Sequence, residues 1–211
     1  LAGVSHDLRT PLTKLRLGVE IAGAQVDAPL AASMARSIDE MDGIVGQFLQ
    51  FARSGEAEAP TPASLNDLAQ AVAEAQADHG RTVRLALGAL PDVPVRPQAL
   101  RRALDNLVEN AWRHGQPPVV LRTGADANSV WLEVQDQGPG IGADDIGLMR
   151  EPFARGGGTA RTGPPGAGLG LAIVERVARS HGGWLELHSV PGAGLRARLV
   201  FPVQAKMVAT A

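Results

Sequence analysis

Asn106-Leu107-Val108-Glu109-Asn110, followed by Asp136-Gln137-Gly138-Pro139-Gly140 and Gly166-Ala167-Gly168-Leu169-Gly170, is the series that decides how this chain is read. It supplies two amides, a carboxylate and two glycine-rich turns, which is what a protein needs to hold a nucleotide and a metal. Far upstream, Ser5-His6-Asp7-Leu8-Arg9-Thr10-Pro11 presents a histidine with an acid beside it. A nucleotide site together with a presented histidine suggests phosphoryl transfer to that histidine.

Proline suits the first turn of a helix, so Pro97 opens a helix expected to end near His114. Leu100, Leu104, Leu107 and Ala111 form its apolar centre. Asn106 and Asn110 lie one turn apart on the rim of that face, with Arg113 on the same side. Asparagine is a poor residue for a helix interior, so two of them at this spacing invite a functional reason. Amide oxygens are hard ligands suited to Mg²⁺, and Arg113 supplies charge for phosphates. Asp136 ends a strand and opens a turn with Gly138 and Gly140, where a buried carboxylate can accept from an exocyclic amine such as that of adenine. Gly166, Gly168, Leu169 and Gly170 precede an apolar helix whose first amides can face phosphates. Each glycine turn is a weak signal when taken alone. The P-loop and the dinucleotide-binding fingerprint are absent. Ala154–Ala167, rich in glycine and carrying Arg155 and Arg161, reads as a mobile loop or as a closing lid.

Upstream, Leu1, Val4, Leu8, Leu12, Leu15 and Val19 recur at helical steps, and Leu30, Met34, Ile38, Met41, Val45, Phe48 and Ala52 repeat the pattern after a break at Asp27-Ala28-Pro29. This predicts an antiparallel helical hairpin. Two helices bury such seams poorly by themselves, and pairing into a dimeric four-helix bundle is the simplest remedy. His6 falls about 160° from the seam, on the outer stripe that also carries Thr10 and Leu17. Pro11 cannot donate to the carbonyl of Asp7. A neutral imidazole is a competent nucleophile when one nitrogen is free and the other donates, and Asp7 is the nearest acceptor.

The chain divides into residues 1–55, a proline-bearing linker at 56–63, a mixed region at 64–205 and a tail at 206–211. In the mixed region, Ser64 and Asp67 resemble a capping box for a helix to about Asp78. Strands are expected at Thr82–Leu87, Val119–Thr123, Ser129–Gln135, Trp184–Val190 and Leu195–Phe201, with a turn near Gly124–Asn128 and a helix from Gly168 to Ser180. Without regular βαβ alternation, the expectation is an α+β fold with a helix layer on one face of a mixed sheet.

The chain has 211 residues, with 25 Gly, 15 Pro, no Cys and a net charge of −2. That balance offers no basic footprint for nucleic acid. No cysteine means no disulfide and no thiolate metal site. No apolar run is long enough to span a bilayer, so no direct membrane contact by this chain is expected. The chain opens inside a helical pattern, which reads as part of something longer.

Taken in order, these segments resemble the cytoplasmic catalytic core of two-component sensor histidine kinases, the EnvZ-like branch in particular. Residues 5–13 are similar to that family's phospho-acceptor box and Leu104–Gly115 to its N box. Asp136–Gly140 matches the first glycine box, Glu151–Gly156 the phenylalanine box, and Gly166–Leu171 the second glycine box. The resemblance implies a dimerisation and histidine phosphotransfer hairpin followed by a Bergerat-type (GHKL) α/β sandwich that binds ATP and Mg²⁺. It implies that His6 accepts the γ-phosphoryl group with Asp7 as base. Asn110 is then the principal Mg²⁺ ligand with Asn106 assisting, Asp136 anchors adenine, and Phe153 braces the lid. It further implies a homodimer and transfer to an aspartate on a response regulator receiver domain, with Thr10 serving dephosphorylation of that regulator. The setting it implies is the cytoplasmic part of a bacterial inner-membrane protein.

This chain departs from common family choices at Arg113, where Lys is frequent, and at His114, where an aromatic such as Tyr often sits. It departs again at Leu195-Arg196-Ala197-Arg198, where Thr or Ser is frequent. Other readings are an ATPase machine of the gyrase or chaperone type, against which the His6 hairpin argues, and a degenerate dimeric scaffold, against which the complete ligand set argues.

Overall fold

A computed structural model describes residues 2–22, 27–53, 58–151, 168–190 and 192–203. Two long helices, α1 (Ala2–Ala22) and α2 (Ala28–Arg53), form the expected hairpin, and Pro11 lies within α1. Among the described side chains of the hairpin only Ile38 is buried. Leu15 and Leu30 of the predicted seams remain about half exposed, at 54% and 53%, and Met34 and Met41 are exposed too.

The second region is built around its own core. Ser64 caps α3 (Leu65–Ala77), its Oγ accepting from the Asp67 amide at 3.1 Å. The other helices are α4 (Pro97–His114), α5 (Ala143–Leu148) and α6 (Gly170–Ser180). The main sheet runs in the order β2 (Val83–Ala86), β4 (Val119–Asp126), β5 (Ser129–Gln135), β7 (Leu195–Pro202), β6 (Trp184–Ser189). The β2–β4 pair is parallel and the other pairs are antiparallel, so the sheet is mixed as the irregular order of elements predicts. Helices α3, α4 and α6 pack on one face, burying Leu65, Val72, Leu100, Leu104, Val108, Ile173 and Val177 against Leu121, Leu132, Leu185 and Leu199. Strand alternation accounts for the division, since every second residue meets the helices. The other face carries a row of alternating charge, Arg122–Glu133–Arg198–Glu186, in direct register. Glu133 is buried there, held by Arg198 at 2.8 Å and faced by Arg122 at 3.5 Å.

The structure corrects the sequence reading in several places. Gly124, expected in a turn, lies inside β4, because a Cβ there would stand 2.1 Å from the ring of Trp131 on the neighbouring strand. The turn is the shorter Ala127-Asn128 pair. Gly168 has φ 67°, outside helical backbone, so α6 begins two residues later than expected. The segment read as linker ends in a strand, β1 (Thr61–Ala63), which pairs with β3 (Val93–Val95) in a small separate sheet. Prolines fit there because a two-stranded ribbon leaves free edges. The short helix α5 and the strand β3 also went unread, each too short to show a period.

The start of this second region is tied down by contacts distant in sequence. Arg96 is the N-cap of α4 and makes no side-chain cap. Glu58 supplies it instead, accepting from the Gln98 and Ala99 amides at 3.0 Å each. A carboxylate at a helix N-terminus satisfies orphan amides and meets the positive end of the dipole. The Arg96 guanidinium donates to the carbonyls of Glu58 (2.7 Å) and Ser180 (2.6 Å), and its amide donates to His181 Nε2 at 2.8 Å.

Candidate nucleotide site

Asp136 stands just past the end of β5, buried at 5% exposure. Its Oδ1 accepts from the amide of Gly138 at 2.7 Å and more weakly from that of Leu195 at 3.4 Å. Three glycines close around it. A Cβ on Gly115 would lie 2.4 Å from Asp136 Cγ, one on Gly138 would lie 2.5 Å from Gly115 Cα, and one on Gly194 would lie 2.1 Å from the Asp136 carbonyl oxygen. Glycine backbone thus packs tightly around Asp136 and its main chain, and both of these hydrogen bonds fall on Oδ1, which leaves Oδ2 able to accept from a ligand. Gly138 and Gly140 continue the turn, Gly140 with φ 73°. Ser189 Oγ accepts from the Ile141 amide at 2.6 Å, tying this turn to the β6–β7 end of the sheet.

One turn of helix and a packing contact assemble the other half. Asn106 and Asn110 are half-buried on the face of α4 that meets α6. A Cβ on Gly170 would lie 3.2 and 3.3 Å from the amide atoms of Asn110 and 3.6 Å from Asn106 Oδ1. Both amides therefore border the first residue of α6, which has no side-chain cap of its own. Asn106 Nδ2 donates to the Arg102 carbonyl at 2.8 Å, which fixes the amide and leaves its oxygen for other partners. Arg113 follows on the same face and pairs with Glu109 at 3.5 Å. His114 ends α4. Desolvation lowers its pKa, Arg113 adds to the lowering, and Asp136 opposes it. The imidazole is thus neutral over most of the physiological range, and it lies within electrostatic reach of Asp136.

The structure brings Asn106, Asn110 and Gly170 together at the start of α6 and gathers Asp136, Gly138 and His114 beside the end of α4, with Gly140 set toward the β6–β7 turn. Gly168 stands two residues before Gly170 with φ 67°. Leu169, expected among the cofactor contacts, is instead fully buried in the core. Phe153, Arg155, Gly166 and the expected lid at 154–167 lie outside the described residues. His6, Asp7 and Thr10 lie on α1 with their side chains outside the described ones. Sequence reasoning missed Gly115, Gly194 and the Leu195 amide. Gly115, directly after the N-box helix, is the one with a local signal, since glycine commonly ends helices. The Leu195 amide donates to Asp136 Oδ1 at 3.4 Å, and the Asp136 amide donates to the Leu195 carbonyl at 3.1 Å, so backbone of β7 holds Asp136 in place.

Residues 95–205 match the family described as histidine kinase-, DNA gyrase B- and HSP90-like ATPases, and residues 1–57 match the His kinase A (phospho-acceptor) domain. The chain belongs to the histidine kinases of this ATPase family. Its relatives include the sensor histidine kinase GtrS of Pseudomonas aeruginosa, 35% identical over 95% of this chain and 41% of that protein. Among solved structures, full-length ShkA in complex with AMPPNP superposes with a TM-score of 0.73 at 27% identity, covering 95% of this chain and 45% of that one. The histidine kinase domain of the Escherichia coli osmosensor EnvZ gives a TM-score of 0.57 at 32% identity, over 74% of this chain and 97% of that one. The chain spans less than half the length of the curated relatives it matches. His6 falls in the phospho-acceptor stretch of this histidine kinase core, and Asn106, Asn110, Asp136 and Gly170 fall in its ATPase stretch. No helix among the described residues is long and apolar enough to cross a membrane.

Proposed function

We propose that this chain is an ATP-dependent protein-histidine kinase core. In this reading it phosphorylates His6 from Mg·ATP and passes the phosphoryl group to an aspartate of a response regulator receiver domain. The observation that carries the reading is the meeting of Asn106 and Asn110 with Gly170 at the uncapped start of α6, beside a buried Asp136 ringed by glycine. Asp136 holds the adenine amine through Oδ2, and the backbone of Gly138 and Gly140 lies along the base. The α6 amides and Arg113 receive the phosphates. Asn110, with Asn106, suits Mg²⁺, since these are hard oxygen donors at a place where Gly170 leaves room. A Mg²⁺ held by Asn110 would draw its other ligands chiefly from phosphate and water, as this ion usually does. When bound, the ion neutralises polyphosphate charge.

In the transfer, a free nitrogen of the His6 imidazole bonds to the γ-phosphorus. The bond from phosphorus to the β–γ bridging oxygen breaks, ADP leaves with that electron pair, and the ring proton passes to Asp7. The N–P bond then breaks as the receiver aspartate takes the phosphoryl group. Thr10, one turn from His6, serves the reverse task of orienting water on the phosphorylated regulator. The exposed apolar positions Leu15, Leu30, Met34 and Met41 support a homodimeric four-helix bundle. The full protein is read as a bacterial inner-membrane sensor whose kinase core faces the cytoplasm. A gyrase-type ATPase fits less well, since residues 1–57 match a phospho-acceptor domain.

Incubation with γ-labelled ATP and Mg²⁺ should give acid-labile, base-stable label on the chain. His6→Gln should abolish that label while calorimetric ATP affinity stays unchanged. Label retained on the variant would remove His6 from the acceptor role.

A further inference from the structure

Arg81 belongs to none of the sequence boxes, yet it reaches the nucleotide-binding helix. It follows the turn that closes α3, where Gly80 has φ 71° and the Arg81 amide donates to the Gln76 carbonyl at 3.0 Å. From there its Nη1 donates to Glu109 Oε2 at 2.7 Å, and its guanidinium lies 5.9 Å from the ring centre of Trp112. The other oxygen of Glu109 faces Arg113 Nη2 at 3.5 Å. One carboxylate is thus shared by two guanidinium groups, with the shorter bond on Arg81. All three side chains are partly exposed, between 28% and 42%.

The charge balance has a consequence for Arg113. Arg113 and Glu109 are one turn apart on the same helix, a spacing at which opposite charges attract. With no other partner for Glu109, that pair is neutral and Arg113 offers polyphosphate little net attraction. With Glu109 engaged by Arg81, the three groups together carry one positive charge beside the phosphate end of the site. We propose that Arg81 is a positioning residue for nucleotide binding: it occupies Glu109 and so leaves the charge of Arg113 available to the phosphates of ATP. This rests on the reading of Arg113 as a phosphate contact.

The test is calorimetric titration of the full chain with Mg·ATP, and separately with AMP. Arg81→Ala should weaken ATP about fivefold and AMP much less, since AMP carries fewer charges near Arg113. Glu109→Gln should bind ATP at least as tightly as the unaltered chain. The double variant Arg81→Ala with Glu109→Gln restores the one positive charge and should recover the original ATP affinity. Arg81→Lys should retain most of it, which guards against a folding defect in the alanine variant. The difference between Arg81→Ala and the unaltered chain should shrink as salt rises. If Arg113→Ala weakens ATP but Arg81→Ala does not, the positioning role is overturned and Arg113 keeps its phosphate contact. If the double variant stays as weak as Arg81→Ala, or AMP is weakened equally, Arg81 acts through structure alone and the proposal fails. If Arg113→Ala itself leaves ATP affinity unchanged, the phosphate reading of Arg113 falls and takes the proposal with it.

Discussion

The helical hairpin and the ATP-binding region solve the same burial problem in opposite ways. In the hairpin, apolar residues at helical spacing are present in number, yet Ile38 is the only described side chain that one copy buries. In the ATP-binding region, α3, α4 and α6 close over a five-stranded sheet, and Leu65, Leu100, Leu104, Leu132 and Leu199 are fully enclosed within a single chain. The described part of the hairpin leaves its seam open in one copy, whereas the ATP-binding region carries its own core. The same difference suits the work proposed for each. A phospho-acceptor helix must stay open to two different partners, and a nucleotide site needs fixed dipoles around the ligand.

Gly194→Ala should break the comparison on the side of the ATP-binding region. Gly194 has φ 89°, and a Cβ there would stand 2.1 Å from the Asp136 carbonyl oxygen, which is backbone and cannot yield cheaply. The expected cost is about 3 kcal/mol, from left-handed strain and overpacking together. Calorimetry should show the melting transition of this region about 10 °C lower, with dimerisation intact. An unchanged transition would mean that the β6–β7 turn adapts freely.

Met34→Lys tests the other side. Met34 is 44% exposed in one copy and sits in the unpaired seam. Placing a charge where a partner's seam should lie ought to cost about 2 kcal/mol of association, or roughly thirtyfold in the dimer dissociation constant. Sedimentation velocity across a dilution series reads this directly, and nucleotide affinity should not move. An unaltered dissociation constant would place Met34 outside the interface.

Asn110→Asp should act only on the nucleotide side, weakening Mg·ATP about tenfold by setting a carboxylate against polyphosphate. Dimerisation should be indifferent to it. Titration giving normal affinity would exclude Asn110 from the metal and phosphate end of the site.

The smallest effect lies at the edge of the ATP-binding region, where α4 begins and α6 ends. His181 accepts the Arg96 amide at Nε2, and its Nδ1 donates to the Val177 carbonyl at 2.7 Å, so both nitrogens are committed to the neutral ring. Burial is the main cause that lowers its pKa. The bond to Val177 raises it, Arg96 lowers it and Glu58 raises it. The unfolded chain therefore binds this proton more readily than the folded one. The stabilisation is fully present above the ordinary histidine range and is lost as pH falls through the lowered folded value. Denaturant titrations should show stability falling as pH drops through and below the ordinary histidine range, more steeply than in His181→Gln. Equal slopes would mean that the ring titrates alike in both states.

Much of this molecule was legible in one dimension. The hairpin followed from apolar residues at three- and four-residue steps. Helix α4 followed from Pro97 and an apolar stripe, and the glycine turns from composition. These signals are local, since a helix or turn is encoded by residues within one or two turns of one another. The elements that went unread, β1, β3 and α5, are too short to display a period. The sequence could not announce that Glu58 caps α4 across some forty residues, that Arg81 reaches Glu109, or that Gly115 and Gly194 meet at Asp136. Gly124 shows the limit well. By composition it belongs to a turn, and only the ring of Trp131 on the adjacent strand explains a glycine in mid-strand. The sequence by itself determined which segments form the helices and glycine turns, and which side chains on them are candidates for the proposed chemistry. Tertiary structure decided which of them meet, because packing joins residues far apart in the chain and no local pattern records their partners.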